Sequence, residues 1–428
     1  MKHTVHEIQL KNGAKGLFID VPGATVMDYE VNFVAGDFLA PKGKWDTAHL
    51  MEHLVLAGNE RIKNGRAYNA ELEKNGAATN AYTGGDYVGY WAECADFEWQ
   101  RVFDLLLAGI SSPLFLREEF KSEFGNVKDE LTAWTTDHFD NLRAELRQAN
   151  GLFDATARER LKQLKNIRRI DVINHYKQTH TTSNLRFVIG GDLRGRRAQL
   201  ERMLESIKLP KGRGRLKFMI EKPNNLEKPE YIFRPSVKST HFYLFTYALE
   251  RLDDEQRDAL WLVNNMLTAT LHSRILGEAR ERGLVYHVGS RIHLDRSYSS
   301  WLFGAQVIPK NSPALFEIIV RELQRVKAGD ISKEDLEAAK QYAIGRYQRG
   351  AQTVSGTMNG YASRYYYDSV IEDYQIFPDK VRAITKAKVV EAVNRMFTDK
   401  VGGLGLLGNT KTRELAEPLS EAIQPLWQ

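Results

Sequence analysis

A single cysteine, Cys94, stands in a chain of 428 residues, so no intrachain disulfide can form and the fold does not lean on an oxidising compartment. Cys94 falls in a strand-like run and reads as a buried thiol rather than a nucleophile. No apolar stretch is long enough to span a bilayer. The opening residues, MKHTVHEIQLKNG, hold no apolar signal core and read as a strand ending in an Asn-Gly turn. A cytoplasmic protein with no membrane association is expected. Charge of one sign is not in large excess either, since the net charge is +5. The basic clusters Arg194–Arg197 and Lys211–Arg215 are short and carry no interleaved aromatics. They read as solvated turns, and no nucleic-acid partner is expected. What is present is globular composition, 43% hydrophobic and 27% charged, in a chain too long for one core.

The pattern along the chain suggests two halves of similar plan. Strand-like runs cover Val5–Leu10, Gly16–Val21 and Thr25–Ala35, followed by a helical stretch over Thr47–Leu56. Alternating runs come next at Ala77–Thr83 and Tyr87–Ala95, then helical patterns over Glu98–Ile110, Arg117–Leu131 and Ala133–Lys165. A helix at Asp171–Thr179 and a strand at Leu185–Ile189 close this half. The lysine- and proline-bearing stretch from Pro210 to Pro229 reads as a linker or peripheral hairpin. Strands then restart at Tyr231–Phe233 and His241–Ala248, with one helix predicted over Asp254–Ala279. Strands Val285–Ile292 and Ser300–Ile308 precede helices Ala314–Val326 and Lys333–Arg349. The close, helix Lys386–Phe397 and a Gly-rich strand ending at Asn409, echoes Asp171–Asp192. This is an α+β chain with mixed sheets, read as a duplication: a first domain over 1–212, a linker over 213–229 and a second domain over 230–428.

The segment His49-Leu50-Met51-Glu52-His53 carries chemistry. Two histidines four residues apart on a helix project from one face and can grip one divalent ion. Glu52 can sit beside that ion without binding it, which suits a general base acting on water. The order is HxxEH, the reverse of HExxH. A catalytic zinc also needs a third protein ligand and an open position. Glu130 follows His53 after 76 residues, in a helical run that also carries Glu123 nearly two turns earlier on the same face. Glu123 can support a ligand or the base.

His49–His53 with Glu130 at that distance resembles the pitrilysin/insulinase/mitochondrial processing peptidase-like metallopeptidases. Phe33-Val34-Ala35-Gly36-Asp37 resembles the strand end before that family's metal helix, and Gly76–Thr83 the strand after it. Arg280–Tyr286 resembles a segment of its second domain. The resemblance covers nearly the whole chain and implies two homologous domains, each a mixed, mainly antiparallel sheet with helices packed on it. It implies one Zn2+ held by His49, His53 and Glu130, with Glu52 as base and Glu123 in support. It assigns substrate binding to Asn80 and Ala81 on an edge strand, where a peptide backbone can add as a further strand. Arg280 and Tyr286 would stabilise the oxyanion or hold the substrate backbone. Here the sequence departs from the family, whose arginine falls at the position of Ala279.

The implied activity is a zinc-dependent endopeptidase for peptides or unfolded polypeptides. Members of this size pair into a four-domain chamber, so a homodimer is expected, with a heterodimer of homologous subunits as the other arrangement. The competing readings are a structural or partner subunit of such a peptidase and a basic, metal-stabilised nucleic-acid binder. The intact His49, Glu52, His53 and Glu130 speak against the first. The lack of cysteine ligands speaks against the second.

Overall fold

The computed structural model describes residues 1–428 and divides into two compact units. The first holds Met1–Ala133, Arg158–Met219 and Arg349–Tyr374; the second holds Trp134–Ala157, Ile220–Gln348 and Gln375–Gln428. The first unit is built on strands β1 (Thr4–Gln9), β2 (Lys15–Asp20), β3 (Val26–Val34), β4 (Ala78–Thr83), β5 (Tyr87–Ala95) and β6 (Arg186–Gly191), in the order β1-β2-β6-β3-β5-β4. The second is built on β7 (Glu230–Phe233), β8 (Thr240–Ala248), β9 (Val285–Leu294), β10 (Ser299–Val307) and β11 (Val401–Gly408), in the order β7-β11-β8-β10-β9. Each sheet has one parallel pair, β2 with β6, with the antiparallel β1 outside it, and β7 with β11 at the edge. The remaining pairs from there to the far edge are antiparallel. The internal repeat expected from the sequence is therefore present in the strand order, and β4 and β9 are corresponding edges.

The units are not the linear blocks 1–212 and 230–428. Helix His138–Ala149 belongs to the second unit, where Leu142 and Leu146 pack against β11 over Gly405. Helix Val354–Asp368 belongs to the first, where Val354, Met358 and Tyr361 bury against Leu17, Ile19 and Val188. Gly190 makes that packing possible, because a Cβ there would lie 2.5 Å from the Met358 sulfur. Each exchange follows from where a segment's apolar face is buried, which chain order does not dictate. The stretch 213–229 has no helix or strand. Its Leu216 and Phe218 pack on the first unit and Leu226 in the second.

One predicted helix is two. Asp254–Thr268 and Arg274–Glu281 are separated at Ser273, whose Oγ accepts from the Thr270 N–H at 2.9 Å and donates to the Asn265 carbonyl at 3.0 Å. That local bonding competes with helix continuation. No helix is long and apolar enough to cross a membrane.

The site depends most on helix Thr47–Val55. Leu50, Met51, Leu54 and Val55 are fully sequestered in the core over the first sheet, beside helix Arg169–Thr179. With the apolar side of nine residues so occupied, His49, Glu52 and His53 are fixed on the remaining face.

Candidate metal centre

The backbone turns into this helix at Asp46, an N-cap position. Asp46 makes no capping bond there. Its fully buried carboxylate receives Arg160 Nη2 at 2.6 Å and lies 3.3 Å from His49 Nδ1. His53 Nδ1 lies 2.9 Å from Glu123 Oε2, and Asn126 steadies the same oxygen at 3.0 Å. Carboxylates thus engage the Nδ1 edge of both rings and turn both Nε2 atoms the other way. Those atoms meet Glu130, His49 Nε2 at 3.4 Å from Oε2 and His53 Nε2 at 3.9 Å from Oε1. The ligand atoms of His49, His53 and Glu130 all lie within 4.8 Å of one another. Donors on a tetrahedral zinc with bonds of 2.0–2.1 Å stand about 3.3 Å apart. This donor set fits such an ion after small side-chain movements.

Electrostatics follow from that closeness. Burial pulls the His49 imidazole down, but hydrogen bonds to Asp46 and Glu130 outweigh it and push the group up to about 9. The His49 bond holds Glu130 below the usual carboxylate range. Burial pushes Glu52 up, opposed by the nearby His49 and His53. Metal binding at such a donor set competes with protons, because an imidazole binds a metal in its neutral form and a carboxyl as the carboxylate.

Glu52 is oriented by β4. Thr83 Oγ1 donates to Glu52 Oε2 at 2.9 Å, and β4 is the sheet edge, with one side of its backbone ladder open. Asn80 is exposed on this strand, and its Oδ1 accepts from the Ala81 N–H at 2.9 Å. Arg280 and Tyr286 lie in the second unit, both exposed. Arg280 Nη1 donates to the Tyr286 carbonyl at 2.6 Å, with the guanidinium 4.7 Å from the Tyr286 ring centre. Ala279 is buried in the second core, so an arginine at that position would face inward.

Five expected residues, His49, Glu52, His53, Glu123 and Glu130, therefore meet in the first unit. Asp46, Arg160 and Thr83 were not anticipated. Asp46 stands just before the helical stretch, and its place three residues before His49 was an available signal. Nothing in the sequence ties Arg160 or Thr83 to the helix. The Glu123–His53 contact carries its own prediction. Glu123→Gln keeps shape but weakens the acceptor behind the imidazole, so metal affinity should drop about 10–100-fold, measured by competition with a chromogenic chelator.

Comparison with known proteins bears on this arrangement. Residues 22–160 match the family model "Insulinase (Peptidase family M16)", and residues 166–342 match "Peptidase M16 inactive domain". The A-factor-processing enzyme of Saccharomyces cerevisiae is 30% identical over 123 residues, 29% of this chain and 12% of that protein. A probable mitochondrial-processing peptidase subunit beta of Arabidopsis thaliana is 28% identical over 149 residues, 34% of this chain and 28% of that one. The matches thus span 12% and 28% of these relatives' own lengths. In three dimensions, a protease from Helicobacter pylori superposes with a TM-score of 0.81 at 17% identity, covering 95% of this chain and 100% of that one. That likeness bears on the fold.

Proposed function

The chain belongs to the insulinase family, peptidase family M16, and on that footing we propose that it is a zinc-dependent endopeptidase acting on peptides or unfolded polypeptides. The observation that carries this reading is the convergence of His49, His53 and Glu130 with Glu52 at their side. A divalent ion bound there supplies a Lewis acid that polarises a carbonyl and acidifies water.

The protein's own groups do the rest. An extended peptide pairs with the open side of β4, beside Asn80 and Ala81, which brings its backbone along the strand that carries Thr83. Thr83 holds the Glu52 carboxylate by one oxygen and leaves the other to act. Glu52 removes a proton from the attacking water and then delivers it to the leaving amine. The family resemblance adds Tyr286 and Arg280 as groups to bind the substrate backbone or the oxyanion, Arg280 acting from one residue beyond the family's position.

The name of the Arabidopsis relative, a subunit, supports work as one of a pair, as a homodimer or beside a homologous chain. The rival reading, a partner subunit without activity, draws on the match of residues 166–342 to the inactive-domain model. That stretch contains none of the five site side chains.

Zinc content and cleavage of a quenched, unstructured peptide, with and without chelator, test the proposal. Activity that vanishes with chelator and returns on adding zinc is expected. A zinc-loaded chain that cleaves no such peptide, alone or with a homologous partner, would sink it.

A further inference from the structure

The edge strand is anchored on both faces, and the outer anchor lies away from the metal. In the sheet register Tyr82 pairs with Gly89, and Gly89 with Asn32, so three residues form one row across β4, β5 and β3. The middle position has no side chain. The Tyr82 ring lies in that gap: a Cβ at Gly89 would stand 2.4 Å from Tyr82 Cζ. Crossing β5 in this way, the hydroxyl reaches the third strand, where it donates to Glu30 Oε1 at 2.7 Å and accepts from Asn32 Nδ2 at 2.9 Å. Asn32 is buried. Burial pushes Glu30 up, with the Tyr82 and Tyr366 hydroxyls acting against that. The next residue, Thr83, faces the opposite side of the sheet and holds Glu52.

An edge strand has a ladder on one side only and presents a row of unpaired N–H and C=O groups on the other. A peptide that adds to it must find its N–H and C=O groups already in line, or supply the cost of ordering them. From the row Tyr82–Gly89–Asn32 we infer that Tyr82 is a positioning residue for substrate: its reach across Gly89 to Glu30 and Asn32 sets the free edge of β4 before a peptide arrives. The inference rests on the peptidase reading above. Its effect belongs in substrate binding, because Thr83 keeps its separate hold on Glu52.

Two variants disturb this anchor by different routes. Tyr82→Phe keeps the ring on Gly89 and removes the hydroxyl. Gly89→Ala keeps the hydroxyl and displaces the ring. Both are compared with the wild-type full chain, zinc-loaded, by amide hydrogen exchange and by steady-state cleavage of a quenched unstructured peptide. Amides of residues 78–83 should exchange about tenfold faster in each, with the central strands unchanged. KM should rise about fivefold, the size of one lost hydrogen bond, with kcat within about twofold and zinc content unaltered. Adding Gly89→Ala to Tyr82→Ala should have no further effect, since the ring it would displace is gone. Unchanged exchange over 78–83, or a fall in kcat at constant KM, overturns the inference. A zinc-loaded wild type that cleaves nothing overturns the peptidase reading and the substrate role together, while the exchange data still separate an anchored strand from a loose one.

Discussion

Glu52→Gln is expected to hold zinc as the wild type does and to lose about 10³-fold in kcat, within the range seen when a general acid–base group is removed. The side chain is not among the three that converge on the ion position, so the ligand set is untouched. Its partner on the protein side is Thr83, a donor, which an amide oxygen can still accept from at the observed 2.9 Å. Shape, helix and strand contact are therefore preserved, and what disappears is the capacity to take a proton. Because the carboxylate acts between ground and transition state, kcat and kcat/KM should fall together, with KM nearly unchanged. Metal analysis and peptide kinetics on one preparation check this. Retention of full activity would show that some other group moves the proton.

The parts of this site that the sequence displays are those tied by local periodicity or fixed spacing. His49 and His53 share a helix face because they are four residues apart, and Glu123 and Glu130 share another because they are seven apart. That the two helices face each other was implied by family resemblance, not by the spacing. The outer shell was hidden for a physical reason. A buried aspartate at a helix start looks the same in sequence whether it caps its own helix or bonds a histidine and a distant arginine, and Asp46 does the second. The fold shows the same division. Strands with continuous apolar runs, such as the fully buried β6 and β11, are legible. Helix Val354–Asp368 is not, since its glycines, serines and tyrosines weaken any helical signal. It forms because Val354, Met358, Tyr361 and Tyr365 find a sheet face to cover. Its assignment to the first unit, and that of Trp134–Ala157 to the second, rests on packing partners far away in sequence.

Asp46 also carries the largest expected effect on stability. Its side chain is fully buried, and that of Arg160 is 15% exposed. Nη2 and Nε of Arg160 both donate to the carboxylate, at 2.6 and 3.2 Å. Burial pulls the Asp46 carboxyl up, but the hydrogen bond with His49 and then the charge and bonds of Arg160 outweigh it and hold the group below the usual carboxylate range. Nearby, Asp37 is buried deeply enough to be pushed up to about 7 despite the same guanidinium. Removing the Asp46 carboxylate thus deprives a mostly buried cation of a partner held through both Nε and Nη2. Asp46→Ala should destabilise the first unit by about 3–5 kcal/mol in urea unfolding. The His49 ring loses its Nδ1 anchor in the same variant, so zinc affinity should also fall. Arg160→Met separates the two consequences. Alone it leaves a buried carboxylate without the guanidinium and is again destabilising. Combined with Asp46→Ala it removes both charges, and the double variant should recover part of the loss, because the two costs share one interaction. Metal affinity should not recover with it, since His49 still lacks its acceptor. Strictly additive losses in the double variant would mean that the pair contributes little and that each residue acts through packing alone.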